Sequence, residues 1–500
     1  MGKLTDIFTI TATKLYCSKI SRKFGIYSNR VVLIAYRIMR QKIQSIRSFS
    51  LRSLVLRNTL SAETIADLKY QDLLNLKSYD IELFKETANK IYYINIQTIQ
   101  QKPKIKVVFY LYAVSLWSCE RLYRLMEKDE HFEPIVVVTK QSSGTKTTND
   151  DEYTATISYF QTRGYQVLGV ADDGFKGKGW YDIGKPDVII LLTPYSGLTP
   201  LTFDILHIPL TSLSIYIPYG LMATGNYWVF DTNGAQLCWK YIAETKTLKK
   251  IMTEHSELGG FNAMVTGHPK MDVLLKPDKI YNAGDFWKVA AGFDVSQVKK
   301  IIYAPHHSIF NETIRFSTFH MNYKEIYEFA KNHLETSWVV KPHQNLRQAS
   351  VLAGLFKSEE DFDAYMDMWD ALPNARTVRS GTYDDIFLTS DAMVMDCGSF
   401  LTEYTLTDKP LIFLRRPEQE FTEWGEELLE ALYSVEGTDI QGIYDTITQV
   451  ILNGDDYLAE KRKELLRGVT SVYDSLDGVS TASEYIYLYL KDTLIMPSKN

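Results

Sequence analysis

Cysteine is scarce and scattered. The four, Cys17, Cys119, Cys238 and Cys397, form no C-x-x-C pair, so the sequence indicates neither a zinc ribbon nor a disulfide framework, and reduced thiols are expected. No apolar run approaches the ~20 residues that cross a bilayer. No apolar stretch with a small-residue cleavage site follows Met1-Gly2-Lys3, so the chain is expected to stay on the cytoplasmic side. No Asp-x-Asp pair follows a strand-like segment, so the sequence requires no metal, and no resident cofactor is expected. Internal repeats, low-complexity tracts and long linkers are also missing.

What remains is a large globular composition. Five hundred residues, 45% of them apolar, with a mean hydropathy of −0.17, suit two domains plus an appendage. Tyrosine (33), phenylalanine (23) and tryptophan (8) are plentiful, as core packing demands and as sugar and nucleotide sites often use. The net charge of −6 conceals an asymmetry: residues 1–57 hold five Lys and seven Arg against the single acid Asp6, or +11, leaving −17 for the rest. In that segment Val31-Val32-Leu33-Ile34-Ala35 and Leu51 to Leu56 alternate with Arg37, Arg40, Lys42, Arg47 and Arg52. A basic amphipathic stretch of this kind suits an anionic membrane surface. The acidic body argues against nucleic acid as a partner.

Beyond a polar, mostly helical stretch over residues 58–100, strand-like segments alternate with helical ones. Lys106 to Tyr112, Pro134 to Val138, Tyr165 to Val170 and Asp187 to Leu192 form the first series. Ala263 to Thr266, Lys300 to Ala304, Trp338 to Lys341, Ala392 to Met395 and Pro410 to Leu414 form the second. Short apolar strands separated by helices indicate βαβ units and parallel sheets. The expected division is a basic helical extension (1–100), a Rossmann-like domain (101–262), a second Rossmann-like domain (263–480) and a C-terminal helix with tail (481–500). Two doubly wound domains place a ligand cleft between the carboxyl ends of their strands.

Several segments at strand ends carry chemistry. Met395-Asp396-Cys397-Gly398-Ser399 joins a strand to a helix; Ser399 is expected to cap that helix, and Gly398 to let backbone approach a pyrophosphate at the helix N-terminus. Glu403, one turn on, suits ribose hydroxyls or orientation of the cap. Lys341-Pro342-His343-Gln344-Asn345 concentrates hydrogen-bond donors at another strand end, with His343 facing the cleft. In Pro305-His306-His307-Ser308, adjacent histidines do not easily face one ligand, and His306 is the better candidate. Gly267-His268-Pro269-Lys270-Met271-Asp272 reads as an interdomain hinge with polar contacts, and Ile217-Pro218-Tyr219-Gly220 as an edge of the first domain facing the second.

Taken in this order, these segments resemble the CDP-glycerol glycerophosphotransferase family of teichoic-acid primases and polymerases. The likeness covers roughly residues 200–415. The family's Gly-x-Pro-x-x-Asp is matched at Gly267 to Asp272, its Tyr-Ala-Pro at Tyr303-Ala304-Pro305, and its Lys/Met-x-His at Lys341-Pro342-His343. Its most specific signature is matched by Ser390, Asp391, Asp396, Ser399, Glu403, Lys409 and Pro410. One departure stands out: where the family has Trp-His-Gly, with the histidine proposed as catalytic base, this chain has Pro218-Tyr219-Gly220. A phenol with an ordinary pKa of ~10 is a poor base near neutrality.

The resemblance implies an α/β GT-B fold of two Rossmann-like domains at the inner face of the cell membrane. It implies a CDP-linked, nucleotide-activated donor and a polymer or lipid-linked acceptor. The candidate catalytic residues are then His343, His306 and Tyr219, and the candidate donor-binding residues are Ser399, Gly398, Asp396, Glu403, Lys341, His268 and Pro305. A GT-B glycosyltransferase using a UDP- or CMP-sugar and a non-catalytic scaffold of a surface-polymer complex are the rival readings.

Overall fold

The computed structural model describes residues 65–66, 68–142, 146–170, 179–218, 220, 222–277, 286–310, 315–379, 383–474 and 476–496. The basic segment 1–57 and Tyr219 lie outside the described residues.

Thirteen strands form two parallel sheets. The first contains β1 (Ile105–Leu111), β2 (Phe132–Thr139), β3 (Val167–Val170), β4 (Val188–Leu191), β5 (Leu213–Tyr216), β6 (Lys240–Ala243) and β7 (Ala263–Val265), in the order β3-β2-β1-β4-β5-β6-β7. The second contains β8 (Lys299–Ala304), β9 (Thr336–Val340), β10 (Ala375–Thr377), β11 (Ala392–Met395), β12 (Leu411–Arg415) and β13 (Tyr433–Glu436), in the order β10-β9-β8-β11-β12-β13. Strands such as β4 and β11 are buried along their whole length, which is why they read as unbroken apolar runs: helices cover both faces of a parallel sheet. In each sheet the order in which strands are added reverses beside the first strand, between β1 and β4 and between β8 and β11. Ligands of open α/β sheets bind outside the carboxyl ends of strands at such points. The sequence reading passes over β5, β6, β10 and β13, each of three or four residues. Runs this short carry too few positions to establish a period.

The segment before β1 is no mere connection. Helix Ile81–Ile99 buries Phe84, Ala88 and Ile91 against the first domain, and Tyr70 lies within hydrogen-bond distance of Ser214 on β5, oxygen to oxygen 3.2 Å. Residues 65–99 therefore pack into the first domain instead of extending from it. At the other end, helix Ala482–Leu494 inserts Ile486, Leu490 and Leu494 into the cluster formed by Val107, Phe109 and Leu122.

The hinge segment after β7 explains itself physically. Gly267 has φ of +72°, and a Cβ there would stand 2.2 Å from the Tyr473 hydroxyl, so only glycine fits. That hydroxyl donates to the Thr266 carbonyl (3.0 Å). The Asp272 carboxylate accepts from the backbone N–H groups of Ala482 and Ser483 (2.9 and 3.1 Å), anchoring the start of the last helix. The two domains also touch through a bridge pairing Thr224 with Phe421.

Candidate active site at the carboxyl edge of the second sheet

Three loops meet beyond the ends of β8, β9 and β11. The first two run side by side: Lys341 N–H donates to the Tyr303 carbonyl (2.8 Å) and His343 N–H to the Pro305 carbonyl (3.1 Å). This prolonged pairing brings three imidazoles together. Ring centroids lie 4.1 Å apart for His307 and His343, 4.3 Å for His306 and His307, and 5.0 Å for His306 and His343. Adjacent histidines thus do converge on one place, and His307, set aside by the sequence reading, is half-buried there with a buried Nδ1 that has no partner among the described residues.

The three rings differ in what they can offer. His306 is the most buried, and its Nδ1 accepts from the Ser308 N–H (3.3 Å) with the Ser308 hydroxyl at 2.8 Å. His343 Nδ1 accepts from the Asn345 N–H (3.1 Å). The neutral ring must therefore carry its proton on Nε2, which is left to donate. Burial, aided by His307 and Lys341, pushes the His343 pKa down to about 4, and burial holds His306 and His307 below the ordinary range too. The cluster is neutral at pH 7. Beside it the Lys341 ammonium is lowered by burial, and it makes no hydrogen bond or ion pair among the described residues.

Asp396 holds the arrangement from beneath. Its carboxylate, fully buried, accepts from His306 N–H (2.6 Å), Thr318 N–H (2.5 Å) and the Thr318 hydroxyl (3.0 Å). Burial nevertheless lifts its pKa to about 6. With its oxygens spent on these donors, Asp396 ties the β8 loop to helix Phe319–Asn332 and offers no contact to a donor nucleotide.

Other assignments also change. Helix Gly398–Thr405 begins before Ser399, its N-cap is Cys397, and no side chain caps it. Ser399 is therefore the second helical residue, exposed, with its hydroxyl 3.3 Å from the Cys397 sulfur. It is not the cap; the Cys397 sulfur faces the backbone N–H groups of Ser399 and Phe400. Gly398 does permit a close approach, but of the chain itself: a Cβ there would meet the Thr224 methyl at 2.5 Å. Glu403 is buried and already engaged, by the Lys270 ammonium at 2.8 Å and the Tyr383 hydroxyl at 2.6 Å, so it links the hinge to the second domain. His268 is fully buried; its Nδ1 accepts from Lys270 N–H (3.0 Å) and its Nε2–H donates to the Pro218 carbonyl. Burial pushes its pKa down to about 3. Both nitrogens are used, which makes it a neutral clamp on the 217–220 loop and not a donor ligand. Pro305 is buried and contributes its carbonyl to His343.

The outcome is a neutral imidazole cluster with the His343 Nε2–H and the Lys341 ammonium as donors, at the switch point of a parallel sheet. Such a set suits a phosphate or pyrophosphate. The three histidines each offer a nitrogen, all within 4.8 Å of one another, and could in principle ligate a metal. A second cation beside unpaired Lys341 is electrostatically disfavoured, and an anion is favoured.

Residues 224–433 match the family described as CDP-glycerol:poly(glycerophosphate) glycerophosphotransferase. No curated protein matches the chain. Among solved structures, the Staphylococcus aureus MnaA–UDP co-structure is similar at 17% identity and a TM-score of 0.50, covering 80% of this chain and all of that one. A UDP-GlcNAc 2-epimerase from Neisseria meningitidis bound to UDP-GlcNAc gives 18% and 0.49, over 78% and 100%. The wall teichoic acid polymerase TagF gives 14% and 0.47, over 90% and 98%. The first of these likenesses agrees with two Rossmann-like domains in GT-B arrangement. The span matched by the family runs from the interdomain bridge at Thr224 to β13 and takes in all three loops of the site.

Proposed function

We propose that the protein moves glycerol phosphate, or a related polyol phosphate, from a CDP-activated donor to an acceptor hydroxyl of a bacterial surface polymer. The observation that carries this reading is the cluster of His306, His307 and His343 beside Lys341, tied through His306 to Asp396 at the end of β11, inside the span matched by the family. In the reaction the acceptor oxygen attacks the phosphorus that bears glycerol. The bond from that phosphorus to the CMP oxygen breaks, CMP leaves with the electron pair, and the hydroxyl proton passes to a base. A phosphoryl transfer of this type depends on positioning and on donors aimed where charge develops. Nε2–H of His343 and the Lys341 ammonium are such donors.

The test is turnover. Labelled CDP-glycerol incubated with a glycerophosphate-primed acceptor should release CMP and transfer label. Transfer from UDP- or CMP-sugars instead would make this a glycosyltransferase, and donor binding without turnover on any acceptor would make it a scaffold component.

Ser399 offers a finer check. Because it does not cap the helix, Ser399→Ala should leave thermal stability nearly unchanged. Loss of one hydrogen bond to phosphate should weaken CDP-glycerol binding by about 1 kcal/mol. Unchanged affinity by titration calorimetry would remove Ser399 from the donor site.

Peripheral attachment to the inner membrane surface through residues 1–57 belongs to the same proposal, and their +11 charge supports it. Among the described residues no helix is long and apolar enough to cross a membrane. Deleting 1–57 should move the protein from anionic liposomes to the supernatant while its circular dichroism stays that of a folded α/β protein. Equal sedimentation with and without the segment would refute attachment there.

A further inference from the structure

The transfer reaction leaves a proton without an acceptor. His343 presents Nε2–H as a donor toward phosphate, and the loop sequence Pro218-Tyr219-Gly220 has no histidine. In the first domain one carboxyl stands apart in its setting.

Glu244 directly follows β6, at the carboxyl edge of the first sheet. It is 1% exposed. One oxygen, Oε1, accepts from the Met222 N–H (3.3 Å), while Oε2 is buried with no hydrogen-bond partner among the described residues. An unpaired carboxyl oxygen in this position is costly to stability, and an acid kept in such a place points to a task. Its surroundings give the location meaning. The Met222 carbonyl accepts from the Thr422 hydroxyl (3.0 Å), the Ala223 carbonyl accepts from Thr422 N–H (3.0 Å), and Thr224 packs on Gly398. Glu244 thus holds residues 222–224, which reach the start of helix Gly398–Thr405. His268 clamps the other end of that loop at Pro218.

Resting on the transferase reading above, we propose that Glu244 is the base that takes the acceptor hydroxyl's proton, through Oε2, in the role the family gives to its loop histidine. The acceptor oxygen forms its bond to phosphorus as its proton moves to Oε2, CMP departs with the bridging electron pair, and the carboxylic acid then returns the proton to water. Since Glu244 lies behind the 222–224 segment, acceptor binding must displace that segment to bring hydroxyl and carboxylate together.

The electrostatics agree with the geometry. Burial raises the Glu244 pKa to about 8, within the range where a carboxylate is an effective general base near neutrality. The ionisable group coupled to it is Tyr241, itself pushed up by burial and by this carboxylate. No Lys, Arg or His pairs with it among the described residues. The base form gains population as pH rises, so kcat should climb through about pH 8 and then level.

The experiment compares full-length wild type with Glu244→Gln and Glu244→Asp, using CDP-glycerol and a primed acceptor. Glu244→Gln should lower kcat by about 10²–10⁴, leave the Kd for CDP-glycerol within about twofold and abolish the climb through pH 8. Glu244→Asp should restore part of the rate and keep a climb. In wild type an infrared carboxylic-acid C=O band should vanish between about pH 7 and pH 9 and be missing from Glu244→Gln; this readout does not depend on turnover. Full activity of Glu244→Gln, an unchanged climb in its residual rate, or a wild-type band that does not titrate there overturns the assignment while leaving the transferase reading intact. A wild type that turns over none of the activated donors overturns both.

Discussion

His343→Ala is expected to lower kcat by about 10²–10³ at saturating donor, the usual cost of removing one donor aimed at developing charge in a desolvated site. The tautomer makes the argument specific. Asn345 N–H occupies Nδ1, so the neutral ring presents Nε2–H. With a pKa near 4 in the free protein, the ring needs no protonation to act at pH 7. A bound pyrophosphate would raise that pKa and strengthen the contact as negative charge moves to CMP. Tyr219→Phe should cost little by comparison, because a phenol ionising near ~10 is a poor base. Both variants are to be checked for folding by circular dichroism before kcat is measured. Activity abolished by Tyr219→Phe but retained by His343→Ala would transfer the central role to Tyr219.

The largest effect on stability is expected at Asp396. Asp396→Ala strands the N–H groups of His306 and Thr318 and the Thr318 hydroxyl in a buried place. Each unpaired buried donor costs ~1–3 kcal/mol, and since neighbours share relief the total should be about 3 kcal/mol. Urea unfolding would show it as a lowered midpoint with an unchanged slope. The β8 loop would also lose its anchor, so CDP-glycerol affinity should fall although Asp396 touches no ligand. An unchanged midpoint would mean that Thr318 and His306 find other partners.

The fold was legible where burial is complete. Val188 to Leu191 and Ala392 to Met395 are apolar without interruption because both sheet faces are covered, and no polar alternation competes with that signal. β6 was not legible: Lys240-Tyr241-Ile242-Ala243 opens on a half-buried lysine, and four residues fit a turn as well as a strand. Missing β6 hid Glu244, since only a residue known to end a strand stands at the cleft. Histidines at the ends of β8 and β9 were visible as strand-end motifs, but which nitrogen each has free depends on Ser308 and Asn345, partners that no pattern announces. The capping role given to Ser399 failed for a local reason. Gly398 adopts helical geometry and moves the N-cap back to Cys397, so the Ser399 hydroxyl falls two residues past the cap. His268 failed for a distant one: the Pro218 carbonyl that consumes its Nε2–H is 50 residues away.

Helix Ala482–Leu494 gives the molecule an awkward birth. Its Ile486, Leu490 and Leu494 complete a core whose other members include residues of β1, β2, β4, β5 and the helix Glu120–Glu127. A ribosome must therefore make roughly 220 residues of the second domain after β7 before that face is covered, a delay of about 10–40 s at ~5–20 residues per second. During this interval Val107, Phe109 and Leu122 have no lid, and the first domain waits half-finished beside a nascent chain. Slow synthesis, or arrest before residue 482, should send the product to chaperones and proteases, and moving this helix by circular permutation to precede residue 65 should relieve the dependence.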